Sequence, residues 1–315
     1  MRRLTLFKMD IPYREPLRVT GLEFGVSHGT PTAAIVGSTR GDEVQQAFIC
    51  ANLVAGLKEL EEGGALAEGS RILVIPCTNP LSLNVGSRFW PADGTDINRL
   101  FPGKADGETT ELVAAGVFAS LRGSAYGLQL CSFNQQGDFL PHVRVTRAGA
   151  VSEESLAIAG DFGLPCVVSR DPTPFDTGTL NYSWQSHGTN AFSLYSATTD
   201  RIDRTSAEQV VESVLRFLAA RGILRTRVPR GSVSRQLDER ELVDVRTMTG
   251  SGYLENNVVV GETVEKGQEL GRVLDGLDAH VRERLVAPTS GRIFFCRTQA
   301  LIQQRMVVYR IAPEA

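Results

Sequence analysis

The chain has 315 residues, which is enough for one large domain and a smaller module. Its 33 basic and 36 acidic side chains give a formal charge of -3, which argues against a nucleic-acid-binding or anionic-membrane-binding surface. No run approaches the roughly 20 apolar residues of a membrane span, and the first residues lack the apolar stretch of a signal peptide. We expect a cytoplasmic protein with a small-molecule partner.

Short apolar runs alternate with helical patterns over the first two thirds of the chain. The patterns predict strands at 33–36, 72–76, 127–132, near 167 and at 191–195, with helices from Val44, at 111–121 and at 155–162. A last helix ends at Gly222 and is predicted to start with a capping box formed by Thr205 and Glu208. This alternation predicts an α/β fold with a mixed, mainly parallel sheet and helices on both faces.

The composition changes after Leu224, where an Arg-rich linker is followed by short strands and glycine turns. We place a domain boundary here, giving an α/β domain at 1–228 and a β-rich module at 229–315. The module resembles the half-barrel of biotinyl and lipoyl carrier domains. Its segment 274–286 contains no lysine, so a structural or covering role is favoured over a swinging arm, and the module could also mediate formation of a homo-oligomer.

One segment has many characteristic residues at fixed spacing. Asn79-Pro80 is followed by Gly86-Ser87-Arg88 and by Asp96-Ile97-Asn98-Arg99-Leu100-Phe101-Pro102-Gly103. This pattern resembles the succinylglutamate desuccinylase and aspartoacylase family of zinc hydrolases. The resemblance implies a zinc-carboxypeptidase-like fold in which Arg88, Asn98 and Arg99 hold the carboxylate of an N-acyl amino acid. The alternative is that Asp96 and Arg99 pair only to fix a loop.

The first zinc-binding motif of that family, G-x-H-G-(N/D)-E, is altered. Here the stretch reads Gly37-Ser38-Thr39-Arg40-Gly41-Asp42-Glu43, so the glutamate ligand is present as Glu43 while Arg40 replaces the histidine. A catalytic zinc site uses three protein ligands and an open position. A guanidinium stays protonated and offers only hydrogen-bond donors, so Arg40 cannot coordinate a cation.

The third ligand and the general base of the family are altered as well. The segment Gln129-Leu130-Cys131-Ser132 places Cys131 where the family has its second histidine, and a thiolate can bind zinc. The segment 190–195 places Tyr195 where the family has its basic glutamate. A phenol with a pKa near 10 is a poor base at neutral pH.

These replacements predict that the Arg40 guanidinium occupies the zinc position and pairs with Glu43. The protein would then bind a small carboxylate or N-acyl amino acid without a metal cofactor and without the usual hydrolysis. One alternative is an active, metal-dependent amide or ester hydrolase whose zinc is held by Glu43, Cys131 and a further ligand such as His142. Another is hydrolysis with Cys131 as the nucleophile.

Overall fold

The computed structural model describes residues 1–26, 28–133 and 135–314. The chain divides into two compact units, the first comprising 1–132 and 141–236 and the second comprising 133–140 and 237–315. The sequence-based boundary at 228/229 lies eight residues before the main division at 236/237, and the segment 133–140 joins the second unit from the middle of the chain.

The strands and helices follow one another as the chain proceeds. The strands are β1 (Arg2–Met9), β2 (Leu17–Gly25), β3 (Ala33–Ser38), β4 (Arg71–Cys77), β5 (Tyr126–Cys131), β6 (Gly137–Phe139), β7 (His142–Thr146), β8 (Cys166–Arg170), β9 (Asn190–Tyr195), β10 (Arg235–Asp238), β11 (Val243–Arg246), β12 (Gly252–Asn256), β13 (Thr263–Val264), β14 (Glu269–Leu274), β15 (Val281–Val286), β16 (Gly291–Arg297), β17 (Leu301–Ile302) and β18 (Val307–Pro313). The α-helices are α1 (Val44–Glu62), α2 (Pro80–Val85), α3 (Thr109–Leu121), α4 (Ser152–Ile158), α5 (Leu180–Ser186) and α6 (Arg204–Ala220).

The first unit is built on a mixed nine-stranded sheet, in the order β1-β2-β4-β3-β5-β9-β7-β8-β10. The four central strands β4, β3, β5 and β9 are parallel, and β7 runs antiparallel to β9. The carboxyl ends of the four parallel strands and the start of β7 therefore meet at one edge of the sheet. In open α/β sheets this edge is the usual place for a ligand. The predicted α/β fold with a mainly parallel sheet is confirmed.

Apolar side chains cover both faces of the central strands. Along β3, Ala33 and Ile35 contribute to one core cluster, whereas Ala34 and Val36 contribute to the other. Helices α1 and α6 supply apolar residues to the first cluster, and α3 supplies them to the second. Because successive strand residues point to opposite faces, a fully apolar run such as β3 requires helices on both sides.

The second unit consists of two antiparallel sheets. One has the order β11-β18-β16-β13, with β6 also paired to β16, and the other has the order β15-β14-β12-β17. Side chains of both sheets share a single core cluster, which includes Val273, Ile293 and Tyr309. This all-β unit agrees with the small C-terminal β module predicted from the sequence.

Some predicted boundaries were wrong. Helix α6 starts after Asp203, whose carboxylate accepts a hydrogen bond from the Ser206 amide, so the predicted capping box of Thr205 and Glu208 is not the helix start. Helix α4 begins at Ser152 and continues as a 3-10 turn to Phe162, earlier than the predicted start at 155. Among the helices of the described ranges, none is both long enough and apolar enough to cross a bilayer.

Candidate functional site

Arg40 and Glu43 lie in the loop between β3 and α1, at the carboxyl ends of the central parallel strands. The Arg40 Nη1 donates to Glu43 Oε1 at 3.2 Å, so the ion pair predicted from the sequence is present. Gly41 lets this loop pass close to its neighbours, because a Cβ at that position would lie 2.1 Å from the carbonyl oxygen of Ser87.

The other end of the Arg40 guanidinium binds Asp96. Its Nε and Nη2 donate to the Asp96 carboxylate at 2.9–3.1 Å, a two-pronged contact of the kind that arginine makes with carboxylates. The Arg40 side chain is only 5% exposed. Burial by itself lowers the pKa of the guanidinium, but the charges of Glu43 and Asp96 together with their hydrogen bonds outweigh this effect and raise its pKa above the ordinary value.

Glu43 has a full set of hydrogen-bond donors around it. Its Oε2 accepts from the Thr39 amide at 2.7 Å, the Thr39 hydroxyl at 3.2 Å and the Arg40 amide at 3.0 Å. Its Oε1 accepts from Arg40 and from the Ser132 hydroxyl at 2.5 Å. The carboxylate is fully buried, so these donors replace the water that it lost on folding.

Asn98 and Arg99 follow Asp96 in a short 3-10 turn. The Asn98 side-chain oxygen accepts from Gln129 Nε2 at 3.0 Å and from the Leu180 amide at 3.2 Å. Arg99 Nη1 donates to the Phe175 carbonyl at 2.7 Å, and its Nε is 3.9 Å from Asp96. Asp96 is therefore bound much more closely by Arg40 than by Arg99. Burial and the charge of Arg40 lower the pKa of Arg99.

Tyr195 and His142 occupy the end of β9 and the start of β7. Their rings are stacked with centroids 4.7 Å apart, and the Tyr195 hydroxyl accepts a hydrogen bond from Arg144 Nη2. The Arg144 guanidinium carbon also lies 4.6 Å from the centre of the Tyr195 ring. The phenol oxygen of Tyr195 is therefore an acceptor for an arginine.

Cys131 ends β5 directly opposite Tyr195 in the pairing with β9. Burial, followed by the nearby charge of Glu43, raises the pKa of the Cys131 thiol to about 11, and Arg144 and Ser193 only partly oppose this. The thiol is therefore neutral near pH 7, which disfavours nucleophilic attack.

Comparison with known proteins identifies the family of this chain. Residues 29–221 match the profile of the succinylglutamate desuccinylase/aspartoacylase catalytic domain. The chain belongs to this family. A curated relative from Halomonas elongata, N-alpha-acetyl-L-2,4-diaminobutyric acid deacetylase, is 33% identical over 84 residues, which are 27% of this chain and 23% of that protein. The alignment thus spans about a quarter of the relative.

Solved structures of family members share the fold over nearly the whole chain. An aspartoacylase family protein from Mesorhizobium loti superimposes with a TM-score of 0.78 at 22% identity, covering 99% of this chain and 94% of its own. A succinylglutamate desuccinylase from Silicibacter sp. gives 0.80 at 18% identity, covering 98% and 92%. The product-bound ectoine utilization protein EutE (DoeB) from Ruegeria pomeroyi gives 0.76 at 21% identity, covering 94% and 89%. At these sequence identities, the structural similarity establishes a shared fold only.

The structure brings most of the predicted site residues of this family member to one edge. Arg40, Glu43, Asn98 and Cys131 are buried there, and Arg99 is partly exposed. Arg88 lies beside this group, with its Nη1 bound to Asp42 at 2.6 Å. The roles of Arg88, Asn98 and Arg99 in binding a ligand, and of Tyr195 at the base position, stay predictions.

Three contributions to the site were missed from the sequence. Asp96 was considered only as a partner of Arg99, although its principal partner is Arg40. Ser132 directly follows Cys131 and binds Glu43, and Arg144 lies two residues after His142 and binds Tyr195. The sequence signal that could have identified Ser132 and Arg144 is their position next to strand ends, because residues at the ends of neighbouring strands converge at one edge of the sheet.

Proposed function

We propose that this protein binds a small carboxylate or N-acyl amino acid at the Arg40 cluster, without the zinc-dependent hydrolysis typical of its family. The observation that supports this most directly is the position of one guanidinium between two carboxylates. Arg40 lies within hydrogen-bonding distance of both Glu43 and Asp96. Its guanidinium is paired with both carboxylates at the place where the family motif has a metal-binding histidine.

The residues present do not fit a zinc ion. Arg40 offers only donors, and both oxygens of Glu43 are already engaged by donors from Thr39, Arg40 and Ser132. Within the described ranges, three metal-ligating side chains come close together only at Asp275, Asp278 and His280, which lie in the second unit. Glu43, Cys131 and His142 form no such group.

The charges around the site favour an anionic ligand. Arg99 is influenced by Arg40, Arg170, Asp96 and Asp176, and Asp176 is in turn influenced by Arg144. Arg40 and Arg170 therefore place positive charge close to Arg99. The partly exposed Arg99 is placed to make a two-pronged contact with a ligand carboxylate.

Metal analysis combined with ligand titration tests this function. The purified full chain should contain far less than one zinc per molecule after dialysis, as measured by mass spectrometry. Titration calorimetry with a panel of N-acetyl amino acids, each paired with its methyl ester, should detect binding of at least one acid and much weaker binding of its ester. The acid should be recovered intact after incubation.

Two variants give this experiment its control. Arg99→Gln should weaken binding of the acid roughly tenfold or more, because a charge-assisted contact is lost. Arg227→Gln removes the same charge at an exposed position of the linker and should leave the affinity unchanged. Stoichiometric zinc that is lost on Glu43→Gln would overturn the proposal.

The second candidate is a working metal-dependent deacylase with a rebuilt site. The local 33% identity to a protein named as a deacetylase favours it. Its signature would be turnover of N-acyl amino acids that requires added metal and is abolished by Cys131→Ala. Turnover that persists in Cys131→Ala would remove Cys131 both as a ligand and as a nucleophile.

A further inference from the structure

A cavity lies in the first unit, on the sheet face formed by β1, β2 and the end of β4. It has a volume of about 470 Å³, within the usual range for small-molecule sites. Its lining includes Arg3, Arg18, Thr20, Leu22, Pro76 and Cys77. Neither Arg40 nor Glu43 is among its lining residues, so this cavity is distinct from the site described above.

The register of the strands explains why these side chains meet. Arg18, Thr20 and Leu22 alternate along β2 and so point to one face, and Arg3 lies opposite Leu22 on β1. Leu22 packs at the margin of the core cluster that includes residues of α1. Leu22 and Thr20 are half-buried, and Arg18 is exposed. The cavity therefore lies where the apolar cover of the sheet ends.

Two positively charged side chains at this cavity have no acidic partner among the described residues, whereas the amino terminus of Met1, which also belongs to the lining, is paired with Glu61. Arg3 and Arg18 are both exposed, and within the described part of the chain neither forms an ion pair with a carboxylate. Lys8 lies directly opposite Arg18 in the pairing of β1 with β2. Like charges at directly opposite positions of an antiparallel pair destabilise it. An anion bound at this face would relieve that repulsion.

The rest of the lining is apolar or weakly polar. Leu22 and Pro76 supply aliphatic surface, and Cys77 is also among the lining residues. Cys77 is paired with Ser38 across β3 and β4. Apolar walls with a few charged groups at one end are the usual composition of sites for amphipathic small molecules.

We propose that this cavity is a second binding site, for a small anion with an apolar chain, such as a medium-chain carboxylate or alkyl phosphate. The anionic head is held by Arg3 and Arg18, and the chain lies along Leu22 and Pro76 towards Cys77. This inference does not depend on the function proposed for the Arg40 cluster.

Calorimetric titration of the full chain with octanoate, octyl phosphate, octanol and inorganic phosphate tests the site. One or both of the amphipathic anions should bind at one site per chain, whereas octanol and phosphate should bind much more weakly because each lacks one of the two required features. The better of the two anions identifies the head group. Equal binding of octanol would refute a role for the arginines.

Variants locate the bound anion. Arg3→Gln and Arg18→Gln should each weaken binding about tenfold, and Thr20→Trp should block the cavity. Arg227→Gln is the matched charge control and should have no effect. Arg99→Gln should also have no effect, and a loss there would place octanoate in the Arg40 site and overturn the proposal. Unchanged affinity in the double variant of Arg3 and Arg18 would do the same.

Cys77 provides an independent readout of location. Burial raises the pKa of its thiol to about 11, so it reacts slowly with N-ethylmaleimide at pH 9, and peptide mass spectrometry can follow the modification. Saturating octanoate should slow this modification in the native chain and have no effect in the Arg3→Gln/Arg18→Gln variant. Equal modification rates with and without octanoate in the native chain would contradict the proposed position of the apolar chain.

Discussion

Replacing Arg40 by methionine tests the central feature of the site. The substitution keeps much of the side-chain volume but removes the charge that lies between Glu43 and Asp96. These two carboxylates are 0% and 15% exposed, so they would remain in a poorly solvated environment without their cation. Breaking a buried ion pair by removing one partner typically costs about 3–5 kcal/mol.

That cost is large enough to measure by thermal and urea denaturation. With roughly 2–4 °C lost per kcal/mol for a unit of this size, the Arg40→Met variant should melt about 6–20 °C below the unchanged protein. Arg221→Met is a matched control, because the pair of Arg221 with Asp161 is more exposed, at 23% and 38%. An exposed pair contributes about 0–1 kcal/mol, so this control should shift the midpoint much less.

The outcome that refutes this reasoning is a loss below about 1 kcal/mol in the free energy of unfolding of Arg40→Met, because a loss of that size is what removal of an exposed ion pair would give.

Three further predictions concern the same edge of the sheet. Arg40→His combined with Cys131→His should recreate a zinc-binding set with Glu43, giving about one zinc per chain by mass spectrometry; a metal-free double variant would contradict this. Cys131, with a thiol pKa of about 11, should resist iodoacetamide at pH 7.5 in the native chain and react after unfolding in urea, and fast native labelling would count against a neutral thiol. Tyr195→Phe should cost about 0.5–1.5 kcal/mol in urea denaturation by removing the acceptor of the Arg144 hydrogen bond, whereas an unchanged midpoint would mean that this bond contributes nothing to stability.

The central part of the fold was predictable because its signals are local. The apolar runs that became β3, β4, β5 and β9 are buried on both faces, and such strands read as continuous hydrophobic segments. Strands β1 and β2 were not predicted. Strand β1 forms the edge of the sheet and has no buried residue, so it lacks the apolar run that identifies a central strand. Strand β2 lies between β1 and β4, and over 17–22 its buried residues alternate with exposed or half-buried ones, so it also lacks a continuous apolar run.

The pairing of Arg40 with Glu43 was also predictable because its signal is local. Glu43 follows Arg40 by three positions, directly before α1. The contact of Arg40 with Asp96 was not predictable, because 56 residues separate the two and no sequence pattern fixes their distance. The contact between Ser132 and Glu43 spans 89 residues and depends on β3 and β5 being neighbours. Local patterns identify the residues of a site, whereas the sheet order decides which of them touch.

The hydrogen bonds of Arg40 have a consequence for how the site comes into being. A metal ion exchanges with its surroundings, so a metalloprotein can be folded and still lack its charge, and a chelator can remove it. A guanidinium is covalently part of the polypeptide. In this protein the positive charge belongs to the Arg40 side chain. The arrangement of loops around it is therefore complete once the chain has folded.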